Sequence, residues 1–440
     1  MITSTKKRLS ATVYYLLTGL GLSVPALLAG GAVLPDWAAG ASTMPLSLAD
    51  IHLLFLGVMS TIACGVLYQI VPIAFQAPPI GRHVLAWHLP LHVASVIAMV
   101  AGFLTADWRV VGWGGLVMFA SLAAYLRLVL ASYRRARNKT AVHRALVLPL
   151  LGLAGVLLVG LWQAWLPARV SDPVVQTHVL FGVLAFWVGL VLVFSYKLFP
   201  MFVISHGYQA SLARTMVLFY PAAALLLLDA WLPPSGWRAA VRVLAALAIV
   251  AAVTSFGRDM RAVWKASKRR RVVPPVYEAA VVNVVLGIGV AWVMAALAAG
   301  SIRWLPPGGY LLWFGGLLPL MFAYMQKMVP FLWFEYRFSK RPERKTAPLI
   351  DDMVPARPAN LAMGLYGAGV LAGLVVLTAG AADPGMVSAT GTGTGGFLRL
   401  LAWIGAILQA GAAAVLFFSL RHVLTIGGPR PEDDAESGET

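Results

Sequence analysis

Three short stretches that end in proline determine the architecture of this chain. They read Tyr68-Gln69-Ile70-Val71-Pro72, Tyr196-Lys197-Leu198-Phe199-Pro200 and Gln326-Lys327-Met328-Val329-Pro330. Their prolines are 128 and 130 residues apart. Each stretch follows a long apolar segment that carries a glycine near its other end, after Leu or Phe: Gly57, Gly182 and Gly315. A shared motif at a shared spacing predicts three related structural units within the chain.

The composition restricts the class of protein to which the chain can belong. Of its 440 residues, 60% are apolar and 12% are charged, whereas a soluble domain has about 45–50% and about 25%. This excludes a cytosolic globular enzyme and a disordered chain. The single cysteine, Cys64, excludes a disulfide-stapled secreted domain and a cysteine-based metal site. The chain is therefore predicted to be a multi-spanning membrane protein.

Twelve apolar stretches reach the ~20 residues that a membrane-spanning helix needs. They cover residues 10–35, 48–74, 85–106, 110–132, 145–167, 176–203, 212–233, 239–262, 277–300, 308–334, 359–382 and 397–420. Helices are predicted because an isolated strand cannot satisfy its backbone in lipid, and the short alternating segments of a β-barrel are not seen.

With four spans per repeat, the fold class is predicted as an all-α membrane protein built from three pseudo-threefold four-helix units. The units cover roughly residues 10–132, 145–262 and 277–420, within a single membrane domain at 1–428. The acidic tail at 429–440 is predicted to be disordered.

The net charge of +17 is interpreted as a topology signal. Most lysines and arginines fall in the segments on one side of the twelve spans, which the positive-inside rule assigns to the cytoplasm. Both termini are thus predicted to be cytoplasmic, in a multi-pass protein of the cell membrane. The basic loops are expected to contact anionic lipid, so nucleic acid is not an expected partner.

The second span carries the resemblance to a known family. His52-Leu-Leu-Phe-Leu-Gly57 and Gly65-Val-Leu-Tyr68-Gln-Ile-Val-Pro72 resemble the second helix of subunit I of the haem-copper oxidase superfamily. The cbb3-type and nitric-oxide-reductase branches are the most similar. That family also has twelve spans in three arcs of four. The resemblance implies haem and copper as cofactors, with His52 as an axial ligand of the low-spin haem near the outer face.

The chain departs from the family at the residues that form its reaction centre. The family takes a copper-binding histidine from helix 6, a histidine pair from helix 7 and a pair of haem ligands from helix 10. Here spans 7 and 10 contain no histidine, so oxygen or nitric oxide reduction by the family mechanism is not expected. The chain also resembles the NnrS family of membrane haem proteins linked to nitric oxide stress, although it lacks the Trp-His-x-His-Glu opening of that family.

These residues lead to a membrane haem protein as the first functional hypothesis, acting in electron transfer, gas response (nitric oxide or dioxygen) or haem handling. Its expected partners are a redox partner or other subunits of the respiratory chain. A second hypothesis is a cofactor-free membrane transporter or insertion factor, in which the histidines have structural roles only. A third is an accessory subunit of a respiratory complex that needs a catalytic partner.

Histidines at equivalent places in two units are the main candidate ligands. His52 and His178 precede the glycines of spans 2 and 6, and neutral imidazole binds haem iron and copper. Hydrogen bonding at the level of the lipid headgroups is the alternative for both. Tyr310 holds the corresponding place in the third unit, either as a phenolate ligand or as an aromatic residue of the membrane boundary.

Two further groups are weaker candidates. His88 and His92 lie four residues apart on one face of span 3, which indicates either an inner metal or haem site or loop histidines that face lipid headgroups. Gln69, Lys197 and Lys327 hold equivalent places in the three prolyl motifs. They are interpreted as a polar ring for an anion or a haem propionate, or as side chains whose ends reach water.

Carboxylates are expected to be nearly absent from the spans. Asp229 lies near the end of span 7 and Glu278 near the end of span 9. Transport coupled to protons or cations uses buried carboxylates near the membrane centre. Their scarcity therefore argues against a cation-coupled transporter and against a long proton channel.

Overall fold

The computed structural model describes residues 9–41, 43–268, 273–338, 347–388 and 394–428. It is 85% helical, and the described residues form no β-strand. The predicted acidic tail at 429–440 lies outside the described residues. Twelve helices among those described are long and apolar enough to cross a membrane, which confirms the predicted number.

We number these helices span 1 to span 12 in chain order. They are Ala11–Ala38, Pro45–Phe75, His83–Leu104, Trp108–Arg134, Ala141–Trp165, Asp172–Val203, Leu212–Trp231, Gly236–Lys265, Pro274–Ala298, Ile302–Arg337, Ala356–Ala382 and Thr394–Val423.

Three of the spans form the centre of the bundle. The apolar stretches of spans 2, 6 and 10 are 72%, 67% and 78% buried, whereas those of the other nine are between 22% and 50% buried. Aromatic side chains join the three central spans. Phe55 of span 2 contacts Trp187 of span 6 and Trp313 of span 10, and Phe202 of span 6 contacts Tyr324 of span 10. Span 12 packs along span 1 and closes the outer ring.

The repeat is also present in the backbone of the three central spans. Each contains a π-helical stretch, at Leu53–Ser60, Phe181–Val188 and Leu311–Leu317. These stretches begin 128 and 130 residues apart, which is the spacing of the prolines. π-Helical turns are rare and are frequent at functional sites. The wide turns therefore support the three-unit arrangement more strongly than the prolyl motifs alone.

Glycines let the outer spans approach these wide turns. A Cβ atom added at Gly19 of span 1 would lie 2.9 Å from the Val58 carbonyl, and one at Gly289 of span 9 would lie 2.6 Å from the Leu312 amide nitrogen. Gly152 of span 5 makes the same close approach to the backbone of span 6. Small residues of this kind allow helices to pack backbone against backbone in a membrane, where dispersion replaces the hydrophobic effect between helices.

Candidate functional site

The structure brings together the two histidines of the first and second units. The rings of His52 on span 2 and His178 on span 6 have centroids 6.4 Å apart and planes at 26°. Each histidine lies just before the π-helical stretch of its span. On another side, the His52 ring stacks on Phe103 of span 3, with centroids 4.4 Å apart. Both rings are partly buried, so the pair lies inside the bundle near the predicted outer end.

A backbone carbonyl holds the His52 ring in place. His52 Nδ1 lies 2.7 Å from the Leu48 carbonyl, and because a carbonyl only accepts, this nitrogen carries the proton. The Nε2 atom of His52 then has the free lone pair that a metal needs. His178 Nδ1 is buried and has no hydrogen-bond partner among the described residues. Metal-ligating histidines are commonly oriented by a carbonyl, as His52 is.

Tyr310 is fully buried, so its side chain does not face the lipid headgroups as an aromatic residue of the membrane boundary would. Its hydroxyl accepts a hydrogen bond of 2.7 Å from the Gln409 side-chain amide of span 12. Its ring stacks on Phe314 with centroids 4.7 Å apart, and the hydroxyl also contacts Gly373 of span 11. The Tyr310 side chain thus contacts spans 11 and 12 and does not join the His52–His178 pair.

The spans contain two buried carboxylates, Asp50 and Asp259, in addition to Asp229 and Glu278. Asp50 lies in span 2 with 4% of its surface exposed, and its Oδ1 atom has no hydrogen-bond partner among the described residues. It lines a cavity of about 10 Å³ together with Tyr310, Gln409 and Trp37. Asp259 in span 8 is also buried. The sequence signal was available, because both residues fall within the predicted limits of their spans.

A haem does not fit where the resemblance places it, between spans 2 and 10. That space is packed by Phe55 against Trp313, with centroids 5.2 Å apart, and by Trp37 against Trp313, with centroids 6.1 Å apart. The cavity beside Asp50 has room for about one water molecule, whereas cofactor pockets occupy roughly 300–1,000 Å³. We therefore assign no haem to this position.

His88 and His92 are fully buried in span 3. The interpretation as loop histidines facing lipid headgroups is therefore wrong. Their rings point into the space between spans 1, 2 and 4, where they contact Tyr15, Leu56 and Tyr125. His88 and His92 are therefore a second pair of neighbouring histidines, in addition to His52 and His178.

The polar residues of the prolyl motifs have neighbours of their own. The Gln69 side-chain oxygen accepts a hydrogen bond of 2.9 Å from Ser10. Lys327 forms an ion pair with Asp351, and both line a second cavity of about 30 Å³. Lys197 is partly buried. These contacts tie Gln69 and Lys327 to different parts of the chain, so they provide no support for a shared anion site.

Comparison with known proteins supports the fold. No protein-family model matches the chain, and no curated protein matches it. Among solved structures, the chain is similar to a haem-copper terminal oxidase dimer determined by cryo-EM, with a TM-score of 0.58 and 15% sequence identity. The match covers 96% of this chain and 85% of that chain. At this identity the likeness shows the fold alone: the chain is a membrane protein with twelve candidate spans and the fold of a haem-copper oxidase.

Proposed function

We propose that this chain is a membrane metalloprotein in which His52 and His178 together hold one redox metal centre that transfers electrons. The observation that carries the proposal is the pairing of the two imidazoles, 6.4 Å apart, from equivalent places on two central spans. Two rings bonded to one metal ion at ~2 Å have centres roughly 6 Å apart.

Imidazole ligands suit zinc, nickel, copper and iron, and of these we propose the redox-active copper or iron. Neutral imidazoles suit copper and haem iron, and the described residues contain no group of three or more His, Cys, Asp or Glu side chains that could hold an ion. A centre with two protein ligands therefore needs either a cofactor that supplies the remaining ligands, as haem does, or an ion stable with two, as cuprous copper is. When bound, either metal would supply a one-electron couple.

The residues of this chain define what such a centre could do. The Leu48 carbonyl would keep Nε2 of His52 available to the metal, and Phe103 would shield one face of His52. Spans 7 and 10 supply no histidine, so the proposal is electron transfer or gas response and does not include oxygen reduction. A redox partner or a respiratory subunit at the predicted outer surface of the cell membrane would exchange the electrons.

The test is to measure metal and haem in protein purified from cells supplied with iron, haem and copper. We expect about one metal per chain, with a Soret band if the metal is haem iron and without one if it is copper. His52→Ala and His178→Ala should each weaken binding by more than about 100-fold, since loss of even an outer-shell partner can cost 10–100-fold.

His143→Ala is the matched control. His143 is also buried, but its ring lies against Tyr133 and Phe75, with centroids 3.8 and 5.1 Å apart, and not against a second histidine. It should retain the metal. A colourless, metal-free preparation would overturn the proposal, and so would a metal content unaffected by both histidine substitutions.

A further inference from the structure

The second histidine pair has two features that packing alone does not explain. His88 and His92 lie one helical turn apart, with ring centroids 5.4 Å apart and planes at 40°. Both have 0% of their surface exposed. Histidines four residues apart on a helix present both rings on one face, which is the arrangement that lets a helix chelate a metal ion.

One nitrogen of each ring is anchored by the protein. His92 Nε2 lies 2.9 Å from the Leu56 carbonyl, so Nε2 carries the proton and Nδ1 has the lone pair. His88 Nδ1 lies 2.8 Å from the Tyr15 hydroxyl. When His88 donates this hydrogen bond, its Nε2 atom also has a free lone pair. The anchors thus fix both rings and leave one nitrogen of each available.

The other two nitrogens have no partner. His88 Nε2 and His92 Nδ1 are buried, and neither makes a hydrogen bond with any described residue. A buried polar atom without a partner costs about 1–3 kcal/mol. A single ligand bound to both neighbouring rings would satisfy these two nitrogens together.

The surroundings indicate the charge of that ligand. The described residues contain no group of three His, Cys, Asp or Glu side chains around a common point, so no carboxylate or thiol completes the pair. Tyr125 stacks on His88 with centroids 4.4 Å apart, and Trp87 contacts its edge. The cost of burying an ion among neutral groups grows with the square of its charge, so a monovalent ion is favoured over a divalent one.

We propose that His88 and His92 form a second metal site that binds one cuprous ion through the two imidazoles. Imidazole is a suitable ligand for copper, and the cuprous ion accepts as few as two ligands. The ion binds in its reduced state, so no electron is transferred, and both imidazoles stay neutral. The site is separate from the His52–His178 pair and does not depend on the function proposed for that pair.

The test uses the full-length His52→Ala/His178→Ala variant, in which the first pair is absent. We would titrate it with cuprous ion under a reductant against a competing chelator, and measure copper per chain. We expect one ion per chain and an X-ray absorption spectrum with two nitrogen neighbours. Adding His88→Gln or His92→Gln should weaken binding more than tenfold.

His143→Gln is again the matched control. His143 Nε2 lies 3.1 Å from the Tyr133 carbonyl, and its buried Nδ1 atom has no partner among the described residues, but it stands alone. It should leave copper binding unchanged. Zinc ion should not bind to the same background variant. The proposal is overturned if this variant binds no copper, if zinc binds as tightly, or if both glutamine substitutions leave the affinity unchanged in protein with an unaltered melting temperature.

Discussion

Asp259, near the C-terminal end of span 8, is a buried carboxylate with three polar partners. Its Oδ2 atom accepts hydrogen bonds from the Tyr196 hydroxyl at 2.7 Å and the Ser211 amide at 2.8 Å. Its Oδ1 atom pairs with Arg214 at 2.9 Å. The carboxylate is 4% exposed. One side chain thus connects spans 6, 7 and 8, and Asp259→Ala should lower the free energy of unfolding.

The expected loss follows from what each partner does after the substitution. The Arg214 side chain is 55% exposed, so it returns to water at little cost. Tyr196 keeps its hydrogen bond of 2.8 Å to Thr215, whereas the Ser211 amide loses the carboxylate. Hydrogen bonds to a charged group contribute about 1.5–3 kcal/mol each. The Ser211 bond is lost in full, the Tyr196 bond is lost in part, and Arg214 is compensated by water, so we expect a decrease of about 2–4 kcal/mol.

Asp229 in span 7 is the matched comparison, because it is also a buried acid paired with arginine. Its contacts with Arg238 and Arg242 are longer, at 3.3 and 3.1 Å, although these side chains are only 21% and 24% exposed. Asp229→Ala leaves no backbone amide without its acceptor, so it should cost less than Asp259→Ala, about 1–2 kcal/mol. The measurement is reversible unfolding of both variants in mixed micelles. A loss at Asp229 equal to or larger than that at Asp259 would refute this reasoning.

Two smaller predictions can be checked by the same unfolding assay. Gly373→Ala should destabilise the protein by about 1–3 kcal/mol, because the added Cβ would collide with the hydroxyl and ring of Tyr310. Gly367→Ala on the same span should be neutral or stabilising by up to ~1 kcal/mol, since nothing lies within 4 Å of its added Cβ. Tyr15→Phe should cost about 1–3 kcal/mol because it leaves His88 Nδ1 unpaired, and an unchanged unfolding midpoint would contradict the role of that anchor.

The number of spans and the pairing of His52 with His178 could be predicted from the sequence. A spanning helix has a length fixed by the bilayer, so apolar stretches can be counted directly. The shared spacing of the units then places residues at equivalent depths. Residues at the same depth on neighbouring central helices lie close in space, and the rings of His52 and His178 are accordingly in contact.

The direction in which a side chain faces could not be predicted in the same way. Lipid and protein interior are both apolar, so a spanning helix lacks the polar stripe that marks the exposed face of a soluble helix. The position of His88 and His92 along span 3 could therefore be predicted, whereas their burial could not. The space between spans 2 and 10 is filled by Trp37 and Trp313, which are far apart in the chain and meet only after folding. The lack of room for a haem there could therefore not be predicted.

The three wide turns also carry information about how the chain arose. A π-helical turn holds an extra residue within a helix and is rare, so three separate insertions at the same register would be an improbable coincidence. A wide turn present in an ancestral segment before that segment was copied would account for the shared register. A living relative that contains only one or two such units should keep the wide turn at the same distance before its proline, whatever cofactor it binds.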